Sequence, residues 1–391
     1  MAAGAPRQSR RASTLHDLAS LYLELSAAVS AGMAQASCGR KGDEVEVSGI
    51  GGRAGTVPSW AAACGVNVVR AAHAELVVTD LQRAADFYGG LLGFVETERD
   101  AEALYYRGYE EREHHSLILR RGARPAVSHI AFRLARPDDL AVLEERFHER
   151  GLAVRRIPAE EERAQGAAVR VQDPCGLPVE LYYEMETVER RLQHYHLHRG
   201  APIMRLDHFN CQVPEVASAT DWYMSELGFG LIEYTEADNA ARDLWAAWLR
   251  RKHTVHDLAL MNGVGPRLHH VGFSVPDALA VLRACDVLAA AGSGHSIERG
   301  PGRHGLSNAL FVYLRDPDGH RIELYTGDYL TADPDWTPIR WSLNDPRRAT
   351  FWGHAPPTCW FEEASPVLSV VDGSPLAHRP PLLVDRPDFV T

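Results

Sequence analysis

From residue 66 onward, apolar and polar positions follow two periods that take turns. Runs such as ALFVYLRD (309–316) carry apolar residues at alternating positions, as a half-buried strand does. Stretches such as DLQRAADFYGGLLGF (80–94) and EVASATDWYMSELGF (215–229) space them as a helix does. Strand, helix and several short strands recur four times, over 66–123, 124–200, 201–263 and 264–330. Asp-Pro-x-Gly turns close the last hairpins of the second and fourth units.

The units repeat in sequence as well as in pattern. HAELVVTDLQRAADFYGGLLGF (73–94) matches HFNCQVPEVASATDWYMSELGF (208–229) with Tyr88, Gly93 and Phe94 falling on Tyr223, Gly228 and Phe229. VRVQDPCGLPVELYYE (169–184) matches VYLRDPDGHRIELYTGD (312–328) through Asp-Pro-x-Gly-x-x-x-Glu-Leu-Tyr. The pattern predicts an α+β protein of four βαβββ modules in two domains, 66–200 and 201–330. Residues 1–65 read as an extension, with an Ala-rich amphipathic helix over 14–36 and a linker at GGRAG (51–55). Residues 331–391, rich in Pro, Trp and Arg, read as a C-terminal wrap over the last module.

Composition narrows the function. A net charge of −11 argues against a nucleic-acid partner, which needs a basic face. No apolar run approaches the roughly 18 residues that span a bilayer. Six cysteines without CxxC spacing indicate neither a disulfide framework nor a zinc ribbon, and fit a reducing cytoplasm. RQSRR (7–11) lacks a following apolar stretch, so no secretory signal is read.

Chemistry concentrates in the second half. His208 opens the third module, His270 takes the matching place in the fourth, and Glu323 lies on that module's last strand. Two imidazoles and one carboxylate on one face of a metal form the facial triad of non-haem Fe(II) sites, with positions left open for substrate and dioxygen. The chain holds 19 histidines, so the triad alone does not separate ligands from structural histidines.

The surrounding residues do. RLDHFN (205–210), AAWLRRKHTVHDLAL (246–260), PRLHHVGF (266–273), IERGPGRHGLSNALFVYLRDPDGHRIELYTGDY (297–329) and DPRRATFWG (345–353) resemble the type I extradiol dioxygenases of the vicinal oxygen chelate superfamily. The resemblance covers about residues 66–365 and is strongest to the branch that cleaves 3,4-dihydroxyphenylacetate (homoprotocatechuate). It implies the glyoxalase-like fold, a homotetramer, and Fe(II), or alternatively Mn(II), on His208, His270 and Glu323. It implies a catechol and O2 as reactants and a muconate semialdehyde as product. His256 matches the acid–base histidine of the family. Tyr313 matches a tyrosine that hydrogen-bonds the substrate, and His304 a histidine supporting it. Asn210 faces the oxygen pocket, Trp248 shapes the ring slot, and Arg299, Arg348 and Arg347 meet the substrate carboxylate.

The first half carries a shadow of the triad: His73, His129 and Glu180 stand at the places of His208, His270 and Glu323, and His115 at that of His256. The family's N-terminal half is not catalytic. Arg170 stands where Tyr313 does and Glu75 where Asn210 does, so a vestigial, metal-free pocket is expected there. Three other functions share the fold class: a non-oxidative isomerase or thiol transferase, a metal-free binding module, and a dioxygenase acting on a catechol of a natural-product pathway.

Overall fold

In the computed structural model, residues 64–384, 386 and 387 are described. The helix expected over 14–36, the linker at 51–55 and nearly all of the 1–65 extension lie outside them. No helix among the described residues is long and apolar enough to cross a membrane.

Each predicted module is a strand, a helix and three strands. The first two build one sheet in the order β2 (Val95–Arg99), β3 (Ala103–Arg107), β4 (Leu117–Arg121), β1 (Val68–Val78), β5 (Ala126–Leu134), β8 (Pro178–Tyr182), β7 (Ala168–Gln172), β6 (Val154–Ile157). Their helices are α1 (Leu81–Ala85) and α2 (Asp139–Glu149). The helix predicted over 80–94 is α-helical only in α1 and widens to a π-helical stretch over Asp86–Leu92. The last two modules build the second sheet: β14 (Ile297–Arg303), β15 (Leu310–Arg315), β16 (Arg321–Thr326), β13 (Arg267–Ser274), β9 (Arg205–Val213), β12 (Leu258–Asn262), β11 (Leu244–Arg250), β10 (Gly230–Glu236), β17 (Ile339–Ser342). Its helices are α3 (Val216–Leu227) and α4 (Ala278–Ala290).

The repeated motifs are joints between the halves. Tyr88 donates to Asp316 at 2.9 Å and Tyr223 donates to Asp173 at 3.0 Å, so each repeated tyrosine reaches the Asp-Pro turn of the opposite half. All four groups are buried. Leu-Gly-Phe ends each helix with a left-handed glycine, Gly93 at φ 83° and Gly228 at φ 67°. Phe94 then packs edge-on to Phe273 and Phe229 to Phe132, across the same seam.

The wrap does more than cover the last module. β17 extends the second sheet beside β10, and α5 (Pro346–Ala349) and α6 (Cys359–Glu362) follow. The chain then pairs with β13 through β18 (Ser365–Pro366) and reaches the first half, where the Leu368 amide donates to Val127 O at 3.0 Å.

Candidate active site

Three adjacent strands, β9, β13 and β16, set the site by their register. Gly272 pairs with His208 on one side and with Glu323 on the other. His270 lies two residues along β13 on the same face. His208 Nε2 is therefore 2.9 Å from Glu323 Oε2 and 3.3 Å from His270 Nε2, and His270 Nε2 is 3.2 Å from Glu323 Oε2. All three are buried. Position 272 must be glycine, because a Cβ there would stand 2.2 Å from His208 Cε1.

Two β-bulges orient the imidazoles. The β9–β13 register slips between Leu268 and His270 and between Gly272 and Phe273, which makes His269 and Asp207 the extra residues. Asp207 Oδ2 lies 3.1 Å from His208 Nδ1 and takes its proton's hydrogen bond. His269 Nε2 is 2.8 Å from Trp360 O, an acceptor only, so that nitrogen carries the proton. The His269 Nδ1 lone pair then receives His270 Nδ1–H at 2.7 Å. Both ligand candidates thus turn an Nε2 lone pair toward the Glu323 carboxylate, with their other nitrogens held as metal-binding histidines require. Three electron-rich atoms this close call for a cation among them. A divalent metal fits the donor set. Electrostatics favour positive charge here: against burial, the Asp207 and Glu323 carboxylates, as hydrogen-bond acceptors, raise His208 to about 9, while burial takes His270 down to about 4.

The cavity above these atoms is lined by Asn210, Trp248, His256, Met261, Arg299, His304, Leu306, Tyr313, Tyr325, Arg348, Trp360 and Phe361. The His256 ring lies 4.1 Å from that of His208, tilted by 42°. Burial, then the His208 charge, push it well below the usual histidine range, so it is neutral and its Nδ1 has no partner among the described residues. Tyr313 OH is 2.9 Å from His304 Nε2, and burial holds its hydroxyl protonated. Arg299 donates to Ala349 O and Thr350 Oγ1 and lies over Trp360. Arg348, on α5, lies over Trp245. Both guanidiniums are buried and brought down to about 10, by burial first and, for Arg348, then by Arg299.

One residue expected at the substrate is elsewhere. Arg347 is exposed and pairs with Asp345 at 2.8 Å, because the short helix α5 turns it outward as it turns Arg348 inward. Trp360 and Phe361 line the cavity from α6, just beyond the last of the quoted motifs, DPRRATFWG (345–353). Asp207 and His269 were missed because alternation assigns neighbours of a facing residue to the opposite face, and a bulge breaks that rule.

Comparison with known proteins gives the family. The model of the Glyoxalase/Bleomycin resistance protein/Dioxygenase superfamily matches residues 70–181 and 205–324. A manganese-dependent 2,3-dihydroxybiphenyl 1,2-dioxygenase of Geobacillus genomosp. 3 is 33% identical over 300 residues, 73% of this chain and 93% of that protein. The chain belongs to the metal-dependent extradiol dioxygenases. This dioxygenase also matches a metapyrocatechase of Geobacillus stearothermophilus, 29% identical over 78% of this chain and 95% of that one. Among solved structures, homoprotocatechuate 2,3-dioxygenase of Brevibacterium fuscum in complex with 3,4-dihydroxyphenylacetate is 40% identical with a TM-score of 0.78, covering 83% of this chain and 100% of the other. The Arthrobacter globiformis enzyme is 41% identical with a TM-score of 0.77, covering 82% and 98%.

Proposed function

We propose that this dioxygenase cleaves a catechol bearing a carboxylate, 3,4-dihydroxyphenylacetate, beside its two hydroxyls to a 2-hydroxymuconate semialdehyde. The observation that carries the substrate class is the pair of buried arginines. Neither Arg299 nor Arg348 has a carboxylate within ion-pair distance among the described residues, and the Nε of each is buried without a partner. A buried unpaired cation is costly, so two of them converging on one cavity favour an anionic occupant. Arginine suits a carboxylate through its planar fork. The substrate named for the Brevibacterium fuscum complex has that carboxylate.

In this reading residues 201–330 are the catalytic domain, 66–200 are non-catalytic, and 331–391 close the site. His208, His270 and Glu323 hold Fe(II), with Mn(II) the alternative that the manganese-dependent relative brings forward. A divalent metal there supplies chelation of both catechol oxygens and a route for ring electrons to dioxygen. The protein's own residues do the rest. Arg299 and Arg348 fix the acid end, and Trp248 and Trp360 bound the ring slot. Neutral His256 accepts a catechol proton and returns it to oxygen. The Tyr313 hydroxyl, aligned by His304, donates to substrate oxygen. Asn210 faces the oxygen side of the pocket. The homotetramer that the resemblance implies is checked by light scattering.

The test is steady-state oxygen uptake by the metal-loaded protein across catechols with and without side-chain carboxylates, alongside metal analysis. We expect kcat/KM for 3,4-dihydroxyphenylacetate to exceed that for 4-methylcatechol by at least about 100-fold, the effect of roughly 3 kcal/mol of ion pairing. Equal values would overturn the substrate assignment and leave the reaction class standing.

A further inference from the structure

The first sheet repeats the strand frame of the catalytic one. Ala131 on β5 pairs with His73 on β1 and with Glu180 on β8, as Gly272 pairs with His208 and Glu323. His129 lies two residues along β5 on the same face. The bulges recur too, with Ala72 and Ser128 as the extra residues where the second sheet has Asp207 and His269. His73 Nε2 is 3.1 Å from His129 Nε2 and 3.2 Å from Glu180 Oε1, and His129 Nε2 is 3.8 Å from Glu180 Oε1. These separations are close to those of the catalytic set. All three side chains are buried.

The partners around this cluster are those of ligands. Ser128 Oγ lies 3.1 Å from His129 Nδ1 and can take its proton's hydrogen bond, leaving Nε2 as a lone pair. Arg170 donates to Glu180 Oε2 at 2.5 Å and anchors the carboxylate oxygen that faces away from the imidazoles. The Gln165 amide lies 2.8 Å from Glu180 Oε1, and its other end, Oε1, is buried without a partner. As it stands the amide nitrogen donates to Glu180; with a cation in the cluster, a half-turn of the amide would present its carbonyl oxygen instead. Charge points the same way. Among the described residues the guanidiniums that reach Glu75, Glu162 and Glu180 are those of Arg120 and Arg170, so three acids share two fixed cations and the third charge falls to the imidazoles or to a bound cation.

We propose that His73, His129 and Glu180, with the Gln165 amide oxygen as a fourth donor, bind a second divalent transition metal in a closed, non-catalytic site of the zinc type. Four nitrogen and oxygen ligands without an open position are the mark of a structural site. Arg170 and Glu75 stand where Tyr313 and Asn210 stand in the other half, and each is tied into an ion pair there, Arg170 with Glu180 and Glu75 with Arg120. This reverses the metal-free pocket expected from the sequence. The one weaker element is His73, whose Nδ1 is buried without a partner among the described residues, where His208 has Asp207.

The test uses the full chain, stripped with a chelator, reloaded with Co(II) and desalted. His208→Ala removes a catalytic ligand; His129→Gln removes a ligand of the second site and leaves the cavity intact. Wild type should retain two Co(II) per chain by elemental analysis. His208→Ala should retain one, with the strong visible absorption of a four-coordinate cobalt. His129→Gln should also retain one, lack that absorption, and keep oxygen uptake within about twofold after iron loading. Adding His129→Gln to His208→Ala should remove both metal and absorption. Wild type with one Co(II) that His208→Ala abolishes would overturn the second site and leave the first. So would a Co(II) in His208→Ala that survives His129→Gln. Loss of metal only with His129→Gln would instead count against the catalytic assignment. If His129→Gln fails to fold, Gln165→Leu in the His208→Ala background serves: unchanged Co(II) affinity and spectrum would overturn the four-donor site.

Discussion

Arg348→Met isolates the acid-recognition argument, because methionine keeps most of the bulk over Trp245 and deletes only the charge. Two effects of opposite sign follow. Burial, reinforced by Arg299, brings the Arg348 guanidinium down from the usual arginine range to about 10. That depression corresponds to about 3 kcal/mol of penalty on the charged form at neutral pH, since each tenfold change in an ionisation constant is about 1.4 kcal/mol. A cation with a depressed folded pKa destabilises the fold below that pKa, so removing it should hold or raise the melting temperature. Substrate binding should suffer. Losing one partner of a desolvated ion pair costs about 2–5 kcal/mol, and 3 kcal/mol is roughly a 150-fold fall in kcat/KM for 3,4-dihydroxyphenylacetate. For 4-methylcatechol the change should stay within about threefold. The assay is initial-rate oxygen consumption with both substrates, beside a thermal melt of the same preparations. Equal losses on the two catechols would refute the carboxylate role. A melting temperature several degrees lower, with the substrate ratio unchanged, would make Arg348 a structural residue.

Other perturbations follow from the same contacts. Gly272→Ala forces a methyl to 2.2 Å from His208 Cε1, so metal affinity should fall at least about tenfold; full metal retention after dialysis against chelator would contradict this. His269→Phe removes the acceptor for His270 Nδ1–H and should weaken metal binding about 10–100-fold in a chelator competition, whereas unchanged affinity would show that the Trp360–His269–His270 chain does not orient the ligand. Glu298, partly offset by burial, is brought down to about 2 by Arg321 and Arg315. Its stabilisation is full above about 4.5 and is lost as pH falls toward 2, so Glu298→Gln should cost about 3 kcal/mol at pH 7 by urea titration, with the gap to wild type closing in acid. A gap that stayed constant down to pH 3 would refute the pairing.

Much of this was legible in the sequence because the chain repeats itself. Tyr88 with Tyr223 and the two Asp-Pro turns marked the modules, and spacing placed His208, His270 and Glu323 on corresponding strands. The turns' partners were not legible, since a tyrosine meeting the aspartate of the opposite half requires knowing how the sheets face each other. Trp360 was hidden for a similar reason: it enters the cavity after a long excursion of the wrap and carries no local period. Arg347 was misplaced because two adjacent arginines on a single helical turn cannot both face one cavity. Asp207 and His269 stand next to the ligand candidates His208 and His270 and were passed over, since strict alternation sends adjacent side chains to opposite faces.

Those two bulges bear on why one chain carries two similar triads with different surroundings. A bulge adds a residue without a place in the ladder, and here that residue sits beside a histidine that faces inward. In the second sheet the added residues are Asp207 and His269, and each binds the Nδ1 of the histidine that follows it. In the first they are Ala72 and Ser128, and only Ser128 offers a partner. The same backbone device thus gives one site two strong second contacts and the other a single weak one. The occupants of the next positions differ in the same sense. Tyr313 and Asn210 line a cavity over His208, His270 and Glu323, whereas Arg170 and Glu75 meet the surroundings of His73, His129 and Glu180 with their own ion pairs. Catalysis by an extradiol dioxygenase needs adjacent open positions for catechol and oxygen, and only the second sheet provides the space for them. The ligand triad marks where a metal can sit, and the bulge residues with the residue facing Glu323 or Glu180 across the last hairpin decide whether substrate can reach it.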